Sequence, residues 1–173
     1  MANKYDVIII GAGLAGIFAG YELVSTRPEL KVAILEQGAA IERRSCPIVS
    51  KKTDVCINCP SCDIMRGFGG AGAFSDGKFN FTTEFGGWLN DYLPAGKVME
   101  LIEYVDSVNQ KFGATSEYHS TFSVEADEIR RKALGYDLHL LDARCKHLGT
   151  ERNREILTAQ SAWLEERLDL ICG

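Results

Sequence analysis

Two groups of residues in this chain have the type and spacing to do chemistry. The first is Gly11-Ala12-Gly13-Leu14-Ala15-Gly16, which reads G-x-G-x-x-G. Such a run suits a pyrophosphate. Gly11 allows a tight turn, Gly13 lets the phosphates come close to the backbone, and Gly16 lets a helix pack against a sheet. Glu36 follows 20 residues after Gly16, where a carboxylate can accept hydrogen bonds from a ribose diol, with Gln37 beside it. An acid there favours an unphosphorylated ribose, hence FAD or NAD rather than NADP.

The second group is sulfur. Four of the six cysteines lie between Ser45 and Met65: Cys46, followed by Pro47, and then Cys56, Cys59 and Cys62 in a C-x-x-C-x-x-C run. Thiolates at such intervals can surround an iron–sulfur cluster or zinc. The ferredoxin order places the extra cysteine after the triplet, whereas here it comes before. Reduced thiols, or a redox disulfide beside a flavin, are the competing readings. Cys145 and Cys172 stand alone and read as structural.

The glycines need elements to hold them, and the sequence supplies these in order. Tyr5 to Ile10 is a β-branched apolar run, as in a strand buried on both faces. Leu14 to Ser25 carries Ile17, Tyr21 and Val24 at helical spacing and lacks proline. A helix starting at Leu14 aims its unpaired N–H groups and positive dipole end at the phosphates. Arg27-Pro28 ends it, and Lys31 to Leu35 reads as a second strand ending at Glu36. This strand–turn–helix–strand–acid order is the context that a glycine motif alone lacks.

After a Gln37-Gly38 turn, Ala39 to Arg44 reads as a short helical turn whose basic pair, Arg43-Arg44, could reach a phosphate but is expected at the surface. Arg66 to Lys78 then holds five glycines within eleven residues. That composition excludes a helix or strand interior, while successive backbone N–H groups there can form an anion-binding nest. The run Gly67-Phe68-Gly69-Gly70-Ala71-Gly72-Ala73-Phe74-Ser75-Asp76-Gly77-Lys78, taken with the N-terminal fingerprint, resembles a family of bacterial FAD-dependent dehydrogenases. Phe85-Gly86-Gly87, Tyr104-Val105-Asp106, Lys111-Phe112-Gly113-Ala114 and His147-Leu148-Gly149-Thr150 add to the likeness. The resemblance implies FAD as cofactor, with Gly70, Ala71, Gly72, Ala73 and Ser75 against its pyrophosphate and ring. It also implies an oxidoreductase with a small-molecule substrate and NAD(P)H as a candidate electron donor. Lys78 is a candidate to stabilise a reduced flavin. An electron-transfer or redox-sensing module built on the cysteines is the alternative of a different class.

The remainder reads as mainly helical. Lys97 to Phe112 places Val98, Leu101, Ile102, Val105, Val108 and Phe112 on one stripe. Val124 to Leu134 follows Ser123 as N-cap, with Glu125 and Asp127 in its first turn and Gly135 as its stop. Tyr136, Leu138 and Leu140 alternate with polar residues as in a half-buried strand. Thr150 can cap a last helix, Glu151 to Ile171. His119, His139 and His147 are scattered, and no Ser/His/Asp, H-E-x-x-H or Walker pattern stands out as catalytic machinery.

The expected fold class is therefore α/β: a Rossmann-like βαβ unit within 1–83, followed by a mostly helical portion over 84–173. Nothing after Glu36 repeats the βαβ pattern, so the sheet is expected to be completed by sequence beyond this segment, making it the N-terminal part of a larger enzyme. With 173 residues the chain can bury a core. Its 46% hydrophobic and 25% charged residues suit a globular protein. A formal net charge of −5 without a basic face argues against nucleic acid and anionic membranes as partners. Lys4 and the apolar stretch after it imitate a signal peptide, but the glycine fingerprint explains them better. No stretch is apolar enough to span a bilayer, and a cytoplasmic protein is expected.

Overall fold

In a computed structural model, which describes residues 4–173, the chain divides into two compact units, 4–75 with Thr150–Gly173, and Asp76–Gly149. The boundary expected after residue 83 falls inside the second of these units.

The first unit holds the fingerprint. Strand β1 is Val7–Ile10, helix α1 is Leu14–Thr26 and strand β2 is Val32–Glu36. β1 and β2 pair in parallel, with Ile8 opposite Ala33 and Ile10 opposite Leu35. Ile17, Tyr21 and Val24 are buried as their spacing predicts. A short 3-10 turn, Ile41–Arg43, follows.

The end of the chain departs from expectation. The last helix, α4, is Gly149–Glu165, and Asp169–Cys172 is a strand, here β6, parallel to β2. The third parallel strand expected from outside the segment is thus supplied from within it, in the order β1-β2-β6. Leu164, Leu168 and Ile171 continue a helical spacing, and no glycine or proline interrupts them. What ends the helix is the free edge of β2, which pairs with β6 from Asp169 to Cys172.

Helix α1 packs on the side of the sheet that Ile9 and Ile34 face, because a Cβ at Gly16 or Gly20 would strike those two side chains. Helix α4 lies against α1 through Trp163 and Tyr21, ring centroids 4.9 Å apart. Successive strand residues point to opposite faces, so Ile8 and Ile10 face the other way and are 54% and 79% exposed. The expectation of a strand buried on both faces therefore fails for β1. Its sequence is apolar on both sides, but helices cover only one.

The second unit is not mainly helical. Strands β3 (Lys78–Phe81), β4 (His119–Ser120) and β5 (Arg144–His147) form an antiparallel sheet in the order β3-β5-β4. Helices α2 (Ala95–Lys111) and α3 (Val124–Leu134) accompany it. Ser123 caps α3 as expected, its hydroxyl accepting from the Ala126 N–H at 3.2 Å. The expected strand at Tyr136 to Leu140 is irregular backbone, with Tyr136 81% exposed. Of the α2 stripe, Val98 and Val108 are buried, whereas Leu101 and Val105 border an open groove of about 330 Å³ with Phe79, Phe81 and Ile102.

Inside this unit is a buried ion pair. Lys146 of β5 donates to both carboxylate oxygens of Asp106 on α2, at 2.6 and 2.7 Å. Gln110 and Tyr118 also donate to Asp106, and the Lys146 ammonium stands 4.3 Å from the centre of the Tyr118 ring. Burial raises the Tyr118 phenol pKa, and the Asp106 carboxylate raises it further.

Candidate dinucleotide site

The site is built where two glycine loops meet in the first unit. Leaving β1, Gly11 adopts φ +95°, a left-handed conformation open to glycine. Its N–H donates to Leu35 O at 2.7 Å, tying the turn to β2. Gly13 is the N-cap of α1 with no side-chain cap, so the first N–H groups of the helix have no intrahelical acceptor. A Cβ at Gly13 would meet nothing within 4 Å, so the space above that backbone is open.

The second loop comes to this one. Gly69 donates its N–H to Ala12 O at 2.8 Å, and a Cβ at Gly70 would lie 3.4 Å from Gly13 Cα. Gly70 to Phe74 forms a 3-10 turn, so the expectation that the glycine content excludes helical order fails for this short element. Asn153 of α4 donates to Gly72 O at 2.7 Å. The glycine loop expected to share a ligand with the fingerprint is thus adjacent to it.

Not every candidate faces open space. Ala12 and Ala73 are buried, and the Ala12 N–H is already donated to Glu36. These two belong to the packing of the loops. Leu14, Ala15, Gln37, Ala71 and Ser75 are exposed, and Gly16 is pressed against the Gly11 carbonyl. Lys78 pairs with Asp76 at 3.1 Å on the surface of the other unit.

Glu36 has a role that spacing did not reveal. Its Oε2 accepts from Ala12 N at 2.8 Å, and its Oε1 accepts from Gly38 N at 2.9 Å and Gly67 N at 3.0 Å. A carboxylate offers about four acceptor positions, so one on Oε2 remains for a ribose hydroxyl. Partial burial raises the Glu36 pKa, but the three N–H donors and the Arg44 charge outweigh it, and the pKa lies below the ordinary 4.5.

A depressed carboxyl pKa contributes stability above the unfolded-state value and loses it as pH falls through the folded-state value. Wild-type stability should therefore fall on acidification below about pH 4.5, and Glu36→Gln should flatten that slope. The substitution should itself cost about 1–3 kcal/mol at neutral pH, because an amide nitrogen cannot accept from a backbone N–H. Urea unfolding of both proteins from pH 3 to pH 7 measures both effects. Equal slopes would remove Glu36 from the acid response.

Sequence spacing also missed Arg44. It was expected at the surface and is instead buried, its guanidinium donating to the carbonyls of Asp63, Ile64, Phe68 and Gly70. Burial lowers its pKa, opposed by Asp63 and Glu36. Arg43 does stay exposed.

The cysteines do not assemble. Cys46, Cys56, Cys59 and Cys62 are free thiols, with Cys56 and Cys62 exposed. Among the described residues, no three His, Cys, Asp or Glu side chains converge as a metal site. The C-x-x-C-x-x-C spacing gathers ligands only on a backbone that curls around one point. Here Thr53 to Pro60 is irregular backbone, with Asn58 at φ +50°. The expected convergence on iron or zinc is thus not found. Cys172 lies beside Glu36 in the strand register, and burial raises its pKa, with Glu36 adding to the shift. No helix among the described residues is long and apolar enough to cross a membrane.

Comparison with known proteins adds a family match at the fingerprint. A model of the Thi4 family matches residues 2–43. Thiamine thiazole synthase of Yarrowia lipolytica is 57% identical over 41 residues, which is 22% of this chain and 13% of that protein. The enzyme of the same name from Phaeosphaeria nodorum is 57% identical over 35 residues, 20% of this chain and 11% of its own length. That of Schizosaccharomyces pombe is 46% identical over 41 residues, 22% and 12%. The chain therefore spans about an eighth or less of these relatives. Among solved structures, L-amino acid deaminase from Proteus vulgaris aligns with 99% of this chain and 40% of its own, at 12% identity and a TM-score of 0.41.

Proposed function

We propose that this chain binds the adenosine diphosphate half of FAD and forms part of an FAD-dependent oxidoreductase acting on a small molecule. The observation that carries this reading is the meeting of Gly69 and Gly70 with Ala12 and Gly13 over the N-terminus of α1. One loop with a helix end suits any dinucleotide. A second glycine loop seated on the first suits a longer ligand that continues past the pyrophosphate, and the resemblance of that loop to FAD-dependent dehydrogenases points the same way.

The residues fit the group. Open space above Gly13 admits the pyrophosphate, the unpaired N–H groups of Leu14 to Gly16 and the helix dipole favour its charge, and Glu36 Oε2 keeps an acceptor for the ribose. When bound, FAD supplies the electron-carrying ring, and the protein supplies binding and orientation. The relatives named thiamine thiazole synthases match over the fingerprint length alone, so they support nucleotide binding rather than their own reaction for this chain.

Gly13→Val tests the reading. With φ −72° and empty space about it, Gly13 can take a side chain without strain. The variant should fold as stably as wild type while its affinity for FAD falls by about a hundredfold, since the misplacement is at the phosphates. Quenching of FAD fluorescence on titration measures affinity, and thermal melting measures stability. A folded variant with wild-type affinity would exclude this backbone as the pyrophosphate site.

A further inference from the structure

The proposed reading leaves unexplained why a full positive charge is buried beneath the glycine loop. Arg44 is 1% exposed, and among the described residues it forms no ion pair. Burying a guanidinium is costly unless its donors find acceptors. Those acceptors are all backbone carbonyls. Nε reaches Asp63 O at 2.8 Å and Nη2 reaches Ile64 O at 3.0 Å. Nη1 spans Phe68 O at 2.7 Å and Gly70 O at 2.8 Å. The guanidinium also stacks over the Phe74 ring, 4.9 Å from its centre.

These bonds fix more than position. In a trans peptide the carbonyl and the following N–H point opposite ways. With Phe68 O held by Arg44, the Gly69 N–H is turned away from the guanidinium, and it meets Ala12 O. With Gly70 O held likewise, the Ala71 N–H is turned away from it too. Gly69 and Gly70 both have positive φ, +88° and +58°, so the loop between them has little stiffness of its own. The Arg44 fork adds a clamp on these two peptide planes to the backbone bonds from Gly69 to Ala12 and from Gly70 to Gly67.

We propose that Arg44 is a positioning residue for dinucleotide binding: its rigid fork orients the Phe68–Gly69 and Gly70–Ala71 peptide groups so that the glycine loop sits correctly on the fingerprint. The inference rests on the FAD reading above. Lysine cannot replace this arginine, because an ammonium has three donors on a flexible stem and no planar fork.

The test is FAD titration of the 173-residue chain and of two variants, at a temperature where cooperative melting shows each to be folded. Arg44→Lys should bind FAD about tenfold more weakly and Arg44→Ala about a hundredfold, the effect of a displaced loop rather than of a lost contact. Guanidinium chloride at about 20 mM, far below the molar denaturing range, should restore part of the Arg44→Ala affinity and leave Arg44→Lys unchanged. A role in stability alone would lower the melting temperature without changing the affinity of the folded protein. If Arg44→Ala does not fold, Arg44→Lys decides. An Arg44→Lys affinity within about twofold of wild type overturns the assignment and leaves the FAD reading standing. If wild type does not bind FAD, the FAD reading and the assignment fall together.

Discussion

A Gly16→Ala protein is expected to lose about 3 kcal/mol of stability, although alanine is the better helix former. The added Cβ would lie 1.9 Å from the Gly11 carbonyl oxygen, 3.1 Å from the Gly11 carbon and 3.3 Å from Ile9 Cγ2. Two of these neighbours are backbone, so no rotamer change relieves the overlap. Either α1 must lift from β1 or the Gly11 turn must move. Helix propensity returns only about 1 kcal/mol.

Gly20, one turn further along the same face, is the control. A Cβ there would meet Ile34 Cδ1 at 2.8 Å and Leu168 Cδ2 at 3.2 Å, the ends of flexible side chains. Gly20→Ala should therefore lie within about 1 kcal/mol of wild type, crowding and propensity offsetting each other. Urea unfolding of the three proteins gives the comparison. A Gly16→Ala cost no greater than that of Gly20→Ala would mean that the close approach of α1 to the Gly11 turn is not what this position requires.

Asp106→Ala should be the most damaging change in the second unit, at about 3–5 kcal/mol. It removes both acceptors of the Lys146 ammonium, whose side chain is 0% exposed, and leaves a buried charge without a partner. The bonds from Gln110 and Tyr118 go with it. Replacing both partners, as Asp106→Leu with Lys146→Met, removes the charge as well as its acceptor and should cost less than the single change. Thermal or urea unfolding of the single and double variants, followed by tyrosine fluorescence, reads the difference. A double variant less stable than Asp106→Ala would show that the pair contributes more than the cost of burying it.

Among the sequence-level expectations, those that depend on neighbours along the chain are met most closely. The order of β1, the Gly11 turn, α1 and β2 follows from β-branched runs, glycine spacing and a helical apolar repeat, and every step is decided within a few residues. The same holds for α3, whose start at Ser123 and stop at Gly135 are local backbone chemistry. Glu36 was found by its distance from Gly16, yet its three backbone donors come from Ala12, Gly38 and Gly67. Spacing located the carboxylate, and only the folded loops show how much of it is already engaged.

Tertiary structure alone decided the rest, because the deciding partner lies far along the chain. Asp169 to Cys172 is a strand only because β2 offers it a free edge, so an uninterrupted helical spacing misleads there. Arg144 to His147 has no apolar alternation, yet it is the central strand of its sheet, with Lys146 turned inward to Asp106, 40 residues away. Arg44 reads as a surface charge until the carbonyls of Asp63 to Gly70 fold around it. The cysteine triplet reads as a ligand set until its irregular backbone is seen not to bring three ligating side chains together. One physical reason covers these cases. Local sequence determines which backbone shapes are cheap, whereas burial of a charge, pairing of a strand and convergence of ligands depend on groups that only the folded chain brings together.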